Sequence, residues 1–151
     1  MPLTPPTIVG SGATSRYANQ ADLERRFGAT NIAEWSHLDG ESGAADSVRV
    51  QGALDYACNY IDQFFNSGPY AIPLQLGSVG QSVVREWAVI IAGVDYLFSN
   101  RGQKQEDSAP NQYSAMLDLV KTEMRRYLTG NPNNLDAATA NSAQASAPTF
   151  A

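Results

Sequence analysis

Asp46-Ser47-Val48-Arg49-Val50-Gln51-Gly52-Ala53-Leu54-Asp55-Tyr56-Ala57-Cys58-Asn59-Tyr60-Ile61-Asp62-Gln63-Phe64-Phe65 is the stretch on which the fold turns. Val50, Leu54, Ala57, Ile61 and Phe64 recur at alternating spacings of four and three. That spacing is one stripe of an α-helix and does not fit the period of two of a strand. Ala53, Cys58 and Phe65 widen the stripe. Asp46 or Ser47 supplies an N-cap, and Ser67-Gly68-Pro69 ends the run.

Working outward, a second apolar helix is predicted from about Gln81 to Phe98, through Val83, Val84, Trp87, Ala88, Ile90, Ile91, Val94, Leu97 and Phe98. Its broad stripe marks it as central. A third begins at Pro110, with Ser108 as cap, and carries Tyr113, Met116, Leu117, Val120, Met124, Tyr127 and Leu128 on one face before Gly130 and Pro132 stop it. Upstream, Asn19 caps a short helix ending at Gly28, and Thr30 or Asn31 caps another turn carrying Ile32 and Trp35. The reading is all-α: three main helices plus short N-terminal helices, extended arms and a Pro-containing loop. Residues 1–18 form an extended arm, 19–130 a helical domain with antiparallel neighbours, and 131–151 a tail too polar to order except on a partner.

Across 151 residues, fifteen acids against ten bases leave a net charge of −5. That balance argues against a primary nucleic-acid grip, which needs excess Lys and Arg, yet suits a passage along which DNA slides without sticking. A single cysteine rules out an internal disulfide framework. The opening residues offer neither a basic nor an apolar leader region, and no apolar run approaches the roughly 20 residues of a membrane span. The expectation is a soluble protein made in the cytoplasm, with no membrane partner.

No catalytic motif stands out. Ile8-Val9-Gly10-Ser11-Gly12 lacks the third glycine of a dinucleotide loop. His37 is the lone histidine, near Asp39, and Cys58 lies on an apolar stripe, where a thiol packs as a small hydrophobe. Asp55, Asp62, Glu86 and Asp95 could serve a metal-dependent hydrolase only if their faces converged. The reading assigns no catalytic, cofactor or metal residues, and no cofactor. Arg125 and Arg126 complement the dipole of the last helix and are candidates for contact with an acidic partner.

The order of motifs resembles a Mu-type family of small tailed-phage proteins at the head–tail junction. The resemblance rests on Ala21-Asp22-Leu23-Glu24-Arg25-Arg26-Phe27-Gly28, Val50 to Leu54 running on to Tyr60-Ile61-Asp62, Tyr70-Ala71-Ile72-Pro73-Leu74, Trp87 to Ala92, and Tyr113 to Leu128. Gly68-Pro69 stands where that family commonly has an Arg before the Tyr70 motif. The resemblance implies a connector or adaptor subunit in the virion, with no enzymatic activity. It implies a homo-oligomeric ring, often a dodecamer, below the portal protein, extending the DNA channel and docking stopper or tail proteins. Tyr70, Ile72, Pro73, Leu74 and Leu76 are then expected as an exposed contact loop, joined by Arg125, Arg126 and Phe150. The alternatives are another neck or tail-completion protein, the carboxylate-metal hydrolase, and a helical regulatory module holding a peptide.

Overall fold

A computed structural model describes residues 12–37, 44–101 and 111–139. The fold is all-α: α1 (Gln20–Phe27), α2 (Ala29–Ser36), α3 (Ser47–Phe65), α4 (Ser78–Ile90) and α5 (Asn111–Thr129). Helix α4 continues without a break into a π-helical segment, Ile91–Phe98, and a 3₁₀ turn, Pro132–Leu135, follows α5. Among the described residues the only β pairing is in isolated bridges.

The caps explain where the helices begin. The Asn19 side chain accepts from the Asp22 N–H while the Asp22 carboxylate accepts from the Asn19 N–H, a reciprocal box at the start of α1. Asp46 accepts from the Val48 and Arg49 amides at the start of α3. Gly28, at φ 96°, ends α1 and is also the N-cap of α2, so neither Thr30 nor Asn31 is the cap expected there. The Ser108 and Pro110 start expected for the last helix lies outside the described residues.

Helix α4 with its π segment is the hub, touching α1, α3 and α5, while the π segment also meets α2. The α3 stripe buries Val50, Ala53, Leu54, Ala57, Cys58, Ile61 and Phe65. Phe65 stacks on Trp87 at 5.7 Å and an interplanar angle of 10°, and the Trp87 Nε1–H donates to Glu123 at 3.0 Å, which ties α3, α4 and α5 into one core. A second cluster joins Phe27, Trp35, Phe98 and Tyr113, pinning the short N-terminal helices to the bundle. Gly93 matters here: a Cβ at that position would overlap the Phe27 ring.

Three expectations need correction. Helix α4 starts at Ser78, ahead of Gln81, because Gly80 lies inside it, under the carbonyl of Leu135. Residues 12–18 are no free arm: Ala13 and Ala18 are buried, and Ser15 and Gln20 amides bond back within the segment at 2.9 and 2.8 Å. Nor does the tail begin at residue 131. Leu135 is fully buried, and residues 136–139 pair with the loop before α4. The tail looked polar because its anchors are few: Pro132, Leu135 and Ala137.

A Cβ on Gly80 meets backbone, which cannot rotate aside as a side chain can. Gly80→Ala is therefore expected to lift the 131–139 segment, costing about 1–3 kcal/mol and accelerating amide exchange at Ala71, Gly77 and Ala138. Native exchange rates at those three amides would show that the segment is held elsewhere.

Candidate interaction site

One corner of the molecule gathers the N-terminal segment, α3, the 70–77 loop and the start of α4. Asp62, at the edge of the α3 stripe, accepts from both the Arg16 guanidinium and the Tyr17 hydroxyl. The same hydroxyl accepts from the Leu74 N–H at 2.9 Å. An amide in a loop without a regular ladder thereby finds a partner, which burial requires. Burial, and then the hydrogen bond to Asp62, hold the Tyr17 phenol well above the usual tyrosine range.

The loop is clasped from its other side by the chain's C-terminal stretch. Ala71 N–H donates to Ala138 O at 3.1 Å, Ala138 N–H to Gln75 O at 2.9 Å, and Gly77 N–H to Asp136 O at 2.8 Å. The Tyr70 ring meets Phe65 edge-on at 4.9 Å, and its hydroxyl donates to the Tyr127 carbonyl. Burial raises the Tyr70 phenol as well, with Tyr127 adding to the effect.

These contacts overturn the expected exposed loop. Tyr70 is 3% and Leu74 7% exposed; Ile72 and Leu76 are half-buried, and only Pro73, joined to Ile72 by a cis peptide, stands free. The physical reason is the 136–139 segment, which covers surface that the helices alone would leave open. Arg125 and Arg126 are exposed on α5 and line neither cavity at this corner, the former within 3.5 Å of the Thr122 hydroxyl. Phe150 lies outside the described residues.

What the corner leaves open is a groove. A cavity of 190 Å³ is lined by Arg16, Tyr17, Leu74, Leu76, Gln81 and Arg85. A second, of 240 Å³, runs between α1 and α4 past Arg25, Arg26, Glu86 and Val89, and shares Arg85. Arg25 pairs with Asp22 at 2.9 Å and Arg26 with Glu86 at 3.2 Å. Arg85 is exposed and has no hydrogen-bond or ion-pair partner among the described residues. Nothing in the spacing of Arg16, Tyr17 and Arg85 could have revealed this site, because its sides come from segments far apart in the chain.

The groups weighed for catalysis are engaged elsewhere. His37 Nε2 lies 2.6 Å from the Ala44 carbonyl, and Cys58 is buried. Asp55 accepts from Gln51 at 3.0 Å and Asp95 from the Tyr56 hydroxyl at 2.7 Å, while Asp62 and Glu86 hold arginines. No three of the His, Cys, Asp and Glu side chains come together among the described residues. The hydrogen bond to Asp95, with partial burial, pushes the Tyr56 phenol up to about 12. No described helix is long and apolar enough to cross a membrane.

A family model described as "Bacteriophage Mu, Gp36" matches residues 17–147, from the clasping Tyr17 through all five helices and the C-terminal return. No curated protein matches the chain.

Tyr17 and Tyr56 both favour the neutral phenol in the fold more than in the unfolded chain. Such groups contribute fully below pH 10, the ordinary tyrosine value, and lose that contribution as pH rises toward their folded values. Denaturation midpoints should therefore be insensitive to these groups up to about pH 10 and fall above it. Tyr17→Phe removes the acceptor for Leu74 and a donor to Asp62. It should cost about 1–2 kcal/mol near neutrality and flatten the alkaline fall. An identical alkaline slope in the variant would refute the linkage.

Proposed function

This chain belongs to the bacteriophage Mu Gp36 family, and from that premise we propose that it is a structural subunit of the virion: a head-to-tail connector. In this reading copies of the chain form a ring, a dodecamer by analogy with adaptors, beneath the portal. The ring extends the DNA channel and gives the tail a docking face. The single observation that carries the reading is the span of the family match, which takes in the whole described helical body rather than one fragment of it. Support also comes from the charge: a net −5 favours a lumen along which DNA moves without being gripped. A ring needs one patch to meet a different patch on the next copy until rotation closes the circle, and the bundle offers the groove on one side and the outer face of α5 on another. The hydrolase reading is not pursued, because its four carboxylates each serve a separate contact.

Co-expression with the portal protein of the same phage, followed by native mass measurement and electron microscopy, tests the assignment. The expected product is a closed ring of this chain seated on the portal. A chain that stays monomeric and leaves the portal bare would overturn it. A stable complex with a tail tube or stopper alone would move the protein further down the neck. Because residues 131–139 belong to the folded body, the proper test of the remaining tail is removal of residues 140–151, Phe150 included. That truncation is expected to weaken portal capture at least about tenfold while leaving the melting temperature unchanged. Undiminished capture would remove the tail from the portal contact.

A further inference from the structure

We propose that the arginine groove between the 70–77 loop, α1 and α4 is the socket for the next copy of this chain, and that Asp118 and Leu119 on the outer face of α5 are what it receives. The inference rests on the assembly reading above and names its contact. Arg85 sits where the two cavities meet, exposed and unpartnered among the described residues, while the arginines around it are occupied by Asp62, Asp22 and Glu86. The groove thus offers one uncommitted guanidinium beside the half-buried Leu76, over the buried Leu74 and Val89.

That combination selects its occupant. A nucleic-acid backbone presents phosphates at regular spacing, whereas this groove leaves a single guanidinium free to meet one. A single carboxylate next to an aliphatic side chain satisfies Arg85 and Leu76 together. The chain presents such a pair itself. Asp118 is exposed and has no partner among the described residues, and its neighbour Leu119 is 60% exposed. No residue of α5 lines either cavity, so socket and plug lie on different surfaces. A contact between them is head-to-tail, the kind that propagates into a ring. Both partners lie off the core, so charge reversal at either leaves the buried stripes intact.

The test is sedimentation velocity of the full chain, free and with the portal protein, for wild type, Arg85→Glu, Asp118→Arg and the double reversal. Circular dichroism melts accompany each to establish folding. Each single reversal is expected to weaken self-association at least about tenfold with an unchanged melt, and the double reversal to restore most of it. Leu119→Ser should weaken it without rescue by any charge change. Wild-type rings that form equally well in Arg85→Glu would overturn the socket while leaving the connector assignment standing. Wild type that never assembles, even on the portal, would bring down both. A short DNA duplex that binds wild type and is lost in Arg85→Glu would reassign the groove to phosphate.

Discussion

The Tyr17 hydroxyl donates one hydrogen bond to Asp62 and accepts one from the amide of Leu74. Three segments distant in sequence meet at that one oxygen: the N-terminal stretch, the last turn of α3, and the loop leading into the hub. Arg16 reaches the same carboxylate, so the buried edge of α3 carries no uncompensated charge. With the loop held there, its backbone is presented to residues 136–139, so that segments 12–18 and 136–139 meet at the same corner.

Away from that corner the structure is governed by ring packing. Helix α4 passes into the π segment, whose wider turn ends with the Ser99 amide bonding back to Val94 at 3.2 Å. Phe98 emerges beside Trp35 and Tyr113, at 5.1 and 4.8 Å. Edge-on pairs of this kind add about 0.5–1.5 kcal/mol each beyond burial. They bind two helices of eight residues each, too short to persist alone. π turns of this sort recur at functional sites. Here the segment also carries Asp95 and Tyr96, the first bonded to Tyr56 and the second in ring contact with it.

The charge pattern adds a third layer. The chain is acidic overall, yet four of its eight arginines lie along α1, α4 and the N-terminal segment, where local carboxylates pair with all but Arg85 within the groove. Exposed ion pairs like Arg25–Asp22 contribute little to stability; their effect is to confine what can enter.

Of the fold, the sequence by itself determined the helices, the all-α class and the caps Asn19 and Asp46, since 3.6-residue periodicity and capping chemistry are local and survive reading one residue at a time. Val50 to Phe65, Asn19 with Asp22, and Asp46 are of this kind. Tertiary structure alone decided which surfaces stay open. Tyr70 and Leu74 were legible as a special loop around Pro73, but not as a buried one, because the cover comes from residues more than sixty positions later and is built on backbone bonds that carry no side-chain signature. Leu135 among Asn and Ala looked too isolated to anchor anything until Gly80 made room for its carbonyl. Nothing local marks Arg85; only the meeting of residues 16–26 with residues 74–89 gives it a cavity, where it has no partner among the described residues.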